Sequence, residues 1–194
     1  MSQGKLDELR KRIADADLPL KEGHNIVFGK GSPAAKIMFI GEAPGEKEDK
    51  EGVPFVGSAG KLLDKLLESI GLSLNDVYIA NILKYRPPEN RNPNHEEIVA
   101  HTPYLIEQIK IIKPKLIVTL GNFATRFVVA GFDAEKMKDI PGITSLHGKV
   151  TTVNLGDEKF MVMPTYHPAA VLYNSKLRAG LETDFQMLRK IIEK

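Results

Sequence analysis

The 194-residue chain contains no cysteine and no tryptophan. Without a thiol it can form no disulfide, offer no thiolate nucleophile and hold no cysteine-ligated zinc or iron–sulfur centre. It also lacks a run of about eighteen apolar residues and a charged-then-apolar leader, so neither a membrane span nor a secretory signal is read and a cytoplasmic location is expected. Basic and acidic residues nearly balance, at 27 against 25. The net charge of +2 is too small to announce a nucleic-acid partner, which must be argued from where the basic residues lie. What the chain does have is 42% hydrophobic residues, enough to bury a sizeable core, at a length that fits one domain over residues 1–194.

Periodicity divides this domain into alternating strands and helices. Leu6, Leu9, Arg10 and Ile13 predict a helix over about Gly4 to Ala14, and Asn25 to Gly29 reads as a short strand. The apolar run from Lys36 to Ile40 reads as a buried parallel strand, and Val77 to Leu83 as another. Between them Leu62, Leu63, Leu66, Leu67 and Ile70 mark one helix face, with Gly71 at the C-cap. The prolines of Lys84 to Pro93 exclude regular structure and leave a stiff, basic loop. A helix from about Asn94 to Ile112 follows, kinked or divided by Pro103, then a strand over Lys115 to Leu120 and a helix that ends at Gly131. Lys149 to Leu155 and Lys159 to Met163 form a hairpin, and Ala179 to Ile192 a last helix. This alternation predicts an α/β fold with a mostly parallel sheet and helices on both faces.

The unusual residues gather after the first central strand. Gly41-Glu42-Ala43-Pro44-Gly45 lets the backbone turn sharply, four acids follow (Glu46, Glu48, Asp49, Glu51), and the aromatic Phe55 stands before a Gly-Ser-Ala-Gly segment that opens a helix. A solvated acidic crossover is the plain reading of this stretch. Its glycine pattern fits neither a Walker phosphate loop nor the dinucleotide fingerprint, and its acids would repel phosphate. Open α/β sheets place ligands at the carboxyl ends of their strands, where Glu42, Asn81 and His167 stand. Singly they read as a turn acid, a satisfied amide and a turn histidine. Together with Phe55 they describe a site for a flat, amide-like ring such as a nucleobase: a stacking face, a donor–acceptor edge and an imidazole donor. Lys84, Arg86 and Arg91 leave the same rim and would position a phosphate backbone, with Lys176 and Arg178 on the other side.

These residues resemble the family 4 uracil-DNA glycosylases. The resemblance runs in order along nearly the whole chain, through Gly41-Glu42-Ala43-Pro44-Gly45 with Glu48-Asp49, Pro54-Phe55-Val56-Gly57, Tyr78-Ile79-Ala80-Asn81 with Lys84-Tyr85-Arg86-Pro87-Pro88, Asn90-Arg91-Asn92-Pro93, and His167-Pro168-Ala169-Ala170-Val171-Leu172. It implies a three-layer α/β/α fold with a central, mostly parallel four-stranded sheet, and hydrolysis of the N-glycosidic bond of a uracil flipped out of single- or double-stranded DNA, the opening step of base-excision repair. It also implies roles by position. Phe55 stacks on the base, Asn81 reads its polar edge, and the backbone at Glu42 and Ala43 contacts the ring. Glu48 lines the pocket, Glu42 orients the attacking water or steadies the sugar cation, and His167 stabilises negative charge on the departing uracil. Pro168, Ala169, Ala170 and Leu172 belong to a loop that presses into the minor groove. A monomer is expected.

The family's usual 4Fe–4S cluster is the one large departure. Its four cysteine positions match Asp15, Leu18, Tyr85 and His101 here, which cannot hold such a cluster, so a cluster-free protein is expected whose N-terminal segment is tied by packing, with Leu18 against Tyr85, and by hydrogen bonds. No basic insert of the DNA-crosslinking relatives intervenes between Gly60 and Leu62, so no covalent capture is predicted. His24, His95 and His147 read as solvent-facing loop residues. Two other functions stay open on sequence grounds: a uracil- or DNA-binding homologue with weak or no catalysis, and a hydrolase of free nucleosides.

Overall fold

A computed structural model describes residues 2–193. Six strands form one sheet in the order β1-β3-β2-β4-β6-β5: β1 (Lys30–Gly31), β2 (Ile37–Gly41), β3 (Val77–Asn81), β4 (Leu116–Leu120), β5 (Thr151–Leu155) and β6 (Glu158–Thr165). The four middle strands are parallel, as the sequence predicts, and β1 and β5 close the two edges antiparallel. The expected four-stranded sheet is therefore the centre of a six-stranded one. Strands β2, β3 and β4 are buried along their whole length because helices cover both faces, which is why they read as continuous apolar runs.

Among the described residues are eight α-helices, α1 (Ser2–Asp15), α2 (Glu46–Glu51), α3 (Ser58–Ser69), α4 (His95–Ile112), α5 (Gly121–Val129), α6 (Ile143–Leu146), α7 (Pro168–Tyr173) and α8 (Arg178–Ile192), and three short 3₁₀ turns, one of them at Pro88–Asn90 within the proline-rich loop. Two apolar clusters separate the layers. On one face α1, α4 and α5 pack through Leu9, Ile13, Leu105, Ile109 and Phe127 against Met38, Ile40 and Ile117. On the other, α3 and α8 bring Leu63, Leu67, Phe185 and Leu188 against Phe39, Ile79 and Val118. Alternate residues of β2 (Met38 and Ile40 against Phe39) serve opposite clusters, as the period of two requires.

Two expectations are corrected, and one of the two alternatives for Pro103 is ruled out. Asn25 to Gly29 is not a strand, because its backbone bonds go elsewhere: Val27 N–H donates to the Lys84 carbonyl, and the Phe28 carbonyl accepts from Gln108. Pro103 does not divide α4, which runs unbroken for 18 residues. It begins at a capping box in which Asn94 Oδ1 accepts from Glu97 N–H and Glu97 accepts from Asn94 N–H. The acidic stretch is not all loop either. Glu46 to Glu51 forms α2, with Glu46, Glu48 and Asp49 in its first turn, where the helix dipole favours acids.

Candidate active site

The parallel pairing of β2 with β3 decides the geometry of the site. Register places Gly41 beside Asn81 at the carboxyl ends of these strands. A Cβ on Gly41 would collide with Asn81 Oδ1 and would come within 2.8 Å of the Phe55 ring, so glycine here is what lets the amide and the aromatic close on one point. Strand β6 delivers His167 two residues beyond its end, where Pro168 opens α7. Gly121, at φ 88° after β4, leaves room for the His167 Cβ, which a side chain there would meet at 2.9 Å. Glu42, Glu48, Phe55, Asn81 and His167 thus line one cavity of about 520 Å³, together with Ala43, Ala169 and Leu172.

Phe55 sits with φ at 53°, in the left-handed region that an aromatic residue adopts at a cost of about 1–3 kcal/mol. Several contacts hold it there. Lys30 Nζ donates to the Phe55 carbonyl at 2.9 Å, Glu48 Oε1 accepts from Val56 and Gly57 N–H at 3.0 and 2.9 Å, and the Phe55 backbone rests on Gly60, where any Cβ would overlap it. Glu48 thus lines the cavity and also braces the segment that carries the aromatic. Asp49 secures the same helix from behind, binding His24 Nδ1 at 2.7 Å and Asn25 N–H at 2.9 Å.

The chemistry-bearing groups are poorly satisfied. Asn81 is only 2% exposed, yet its Oδ1 has no hydrogen-bond partner. Glu42 has no side-chain hydrogen bond or ion pair among the described residues, and burial raises its carboxyl to about 7. Burial also pushes the His167 imidazole down to about 4, so it is neutral at physiological pH. Its Nδ1 accepts from Ala169 N–H at 3.0 Å, which places the remaining ring proton on Nε2 as a donor. The His167 and Phe55 rings stack with centroids 5.7 Å apart.

Two walls flank the mouth. One is the proline-rich loop with Pro87, Asn90, Arg91 and Asn92, and the other is α7 with Ala169, Leu172 and Tyr173. Pro168 is buried and Ala170 half-buried, so of the predicted α7 contacts Leu172 stands out furthest, 50% exposed. Tyr173, which the sequence reading passed over, is 92% exposed on the same rim. Its only sequence signal is an aromatic next to the predicted loop. On the opposite wall Arg86 is half-buried and donates to Asn90 Oδ1 at 2.8 Å, while Arg91 forms a bidentate pair with Glu97 at 2.6 and 2.9 Å. Arg178 lies outside the cavity lining, exposed and 3.6 Å from Glu182.

Lys84 requires the largest correction. It is not on the rim but fully buried, with Nζ donating to the Asn81 carbonyl at 2.7 Å and to Gln108 Oε1 at 2.6 Å. It cannot contact a phosphate from there. His24 and His147 are likewise not free solvent-facing residues: each is half-buried and bound to an aspartate, His24 to Asp49 and His147 to Asp184 at 2.9 Å. His95 is exposed, as read.

The residues at the four matched cluster positions do not fit an iron–sulfur centre. Asp15 is exposed at the end of α1, whereas Leu18 and Tyr85 are buried in the apolar cluster under α1 and α4. His101 packs edge-on against Tyr85 with centroids 6.0 Å apart, and both its nitrogens are engaged: Nδ1 accepts from Lys84 N–H at 3.0 Å and Nε2 lies 3.3 Å from the Pro19 carbonyl. Thiolate ligands are missing, and the one candidate nitrogen donor is already used.

Comparison with known proteins places the chain in a family. The uracil DNA glycosylase superfamily model matches residues 28–194. The chain is 50% identical over 169 residues to the type-4 uracil-DNA glycosylase of Saccharolobus solfataricus, covering 87% of this chain and 76% of the relative. It is 49% identical over 168 residues to that of Sulfurisphaera tokodaii, with 86% and 74% covered. Against the type-4 enzyme of Pyrobaculum aerophilum the identity is 41% over 189 residues, 96% of this chain and 93% of the relative. A match of this extent, with the motif residues gathered in one cavity, shows that the chain belongs to the uracil DNA glycosylase superfamily, in its type-4 branch.

Proposed function

We propose that this protein is a monofunctional uracil-DNA glycosylase that receives a uracil flipped out of DNA and hydrolyses its N-glycosidic bond. The observation that carries the reading is Asn81 Oδ1, a buried acceptor left without a donor at the floor of a cavity faced by an aromatic ring. The N3–H of uracil supplies that donor, and the Asn81 amide N–H₂ meets the adjacent O4. Cytosine, with an acceptor at N3 and a donor at N4, presents the opposite pattern and leaves buried groups unpaired.

Cleavage of the C1′–N1 bond leaves positive character on the sugar and negative charge on the base. His167 Nε2–H donates to the uracil oxygen on which that charge collects, and its neutrality avoids a competing cation in the ground state. Glu42, its carboxyl raised to about 7 by burial, accepts the proton in its ionised form as water oxygen bonds to C1′. The products are an abasic sugar and a uracil anion, which takes up a proton as Glu42 gives its own back to solvent, leaving free uracil and an ionised Glu42. Leu172 enters the gap left by the flipped base, and Arg86, Arg91 and Arg178 flank the backbone. Reaching the base costs a few kcal/mol of unstacking, which the Phe55 face and the closed cup return. We extend the reading to a single-domain monomer working in the cytoplasm.

Incubation with an oligonucleotide containing one uracil, followed by alkali, tests it. Strand breakage at the uracil is expected. Retention of the oligonucleotide without breakage would replace the enzyme with a binding homologue, and release of base from free deoxyuridine alone would point to a nucleoside hydrolase.

A further inference from the structure

Strand β3 ends at Asn81, and its last peptide has an unmet acceptor. Ile82 N–H donates to the Gly41 carbonyl on β2, so the planar peptide turns the Asn81 carbonyl to the opposite side. There β1 reaches only Tyr78 and Ile79. The Lys84 side chain folds back from three residues further on, and its Nζ donates to that carbonyl at 2.7 Å. Every polar group of Lys84 is engaged: its N–H donates to His101, its carbonyl accepts from Val27, and Nζ binds Asn81 and Gln108. Gln108 in turn donates to the Phe28 carbonyl at 3.0 Å. No acidic side chain pairs with Lys84 among the described residues, and a buried lysine without a counter-ion costs enough that it calls for a specific role.

We propose that Lys84 is a positioning residue for base discrimination: clamped between the Asn81 carbonyl and Gln108, it fixes the peptide from which the base-reading amide projects and ties that peptide to α4 and to the N-terminal segment. The tie occupies the region where the matched cluster positions hold Tyr85 and His101, so hydrogen bonds and packing there do the holding. The inference rests on the glycosylase reading and adds to it a residue that never touches the base.

A double-mutant cycle on the full chain tests it. Lys84→Met, Asn81→Ala and the combined variant are assayed on duplexes that differ only in carrying uracil or cytosine, at a temperature where all keep native circular dichroism. Lys84→Met is expected to lower kcat/KM on uracil about 100-fold, chiefly through kcat, because a small misplacement of a reading group has that effect. It should narrow the uracil-over-cytosine ratio and add little to the loss already caused by Asn81→Ala. Fully additive losses, or an unchanged ratio in Lys84→Met, would reduce Lys84 to packing and overturn the proposal. Should Lys84→Met fail to fold, Gln108→Leu removes one acceptor of the clamp and is put through the same cycle, with the same outcomes. A wild-type protein that leaves uracil in place sinks the glycosylase reading instead; the cycle is then read on dissociation constants for uracil- and thymine-containing oligonucleotides, where additivity again overturns the role of Lys84.

Discussion

Two polar clusters lie on either side of the end of β3, and they are built on opposite principles. Around Lys84, His101 and Gln108 each buried side-chain polar atom has a partner, and the groups bridge α4 to Pro19 and Phe28. Around Asn81, Glu42 and His167 the partners are missing: an orphan oxygen, a carboxyl without a hydrogen bond, and an N–H aimed at a cavity. Burial depresses both histidines to about 4, so a shifted titration does not separate them. Satisfaction does. A completed network specifies a fold, whereas an incomplete one holds its valence for a ligand.

The contrast can be broken most directly by exchanging its two histidines for alanine. His167→Ala is expected to lower kcat on uracil-containing DNA by about 10²–10³-fold, the range for loss of one charge-stabilising donor, with little change in melting temperature. His101→Ala should do the reverse, costing about 2–4 kcal/mol of stability because it leaves the Lys84 N–H unpartnered and opens a cavity. Chemical denaturation and single-turnover kinetics on both variants decide the matter, and a large stability loss in His167→Ala with none in His101→Ala would invert the assignment.

The pH profile sharpens the same comparison. With its carboxyl raised to about 7, Glu42 is fully ionised only above that pH, so kcat/KM should fall about tenfold per unit on the acid side, with a midpoint near 7. An ordinary glutamate would place that limb near 4.3, and Glu42→Gln should abolish it. His101 works in stability instead. Because the fold favours its neutral form, its contribution is complete above about 6.5, the unfolded value, and is lost as pH falls through about 4. Acid unfolding should therefore be shallower in His101→Ala.

Tyr173→Ala gives the smallest effect. A ring 92% exposed at the mouth of the cavity adds nothing to folding, so melting should not move, while affinity for uracil-containing DNA should drop by about 1 kcal/mol, roughly fivefold, if the ring stacks on a base. Unchanged affinity in a filter-binding assay would confine the proposed DNA-facing role of α7 to Leu172.

How legible each part was in the sequence depended on whether its cause was local. The parallel core strands, the helix faces and the convergence of Glu42, Phe55, Asn81 and His167 were legible, since strand ends and hydrophobic periods are written in adjacent residues. Lys84 was misread because a lysine in a basic, proline-rich loop has the same local signature whether its side chain turns out to solvent or back under β3. The helix α2 was missed for a related reason. Four acids in a dozen residues describe a solvated loop until Glu48 and Asp49 find their partners in Val56, Gly57, His24 and Asn25.

The order of residues alone therefore determined the α/β class, the absence of thiolate ligands and the identity of the groups that meet at the strand ends. Only the tertiary structure decided which of those groups lack partners, that Phe55 is held in a left-handed conformation, and that the amine of Lys84 lies beneath the pocket instead of beside it. The reason is physical: hydrophobic period and backbone preference act over a few residues, whereas the satisfaction of a buried polar atom depends on neighbours brought from far along the chain.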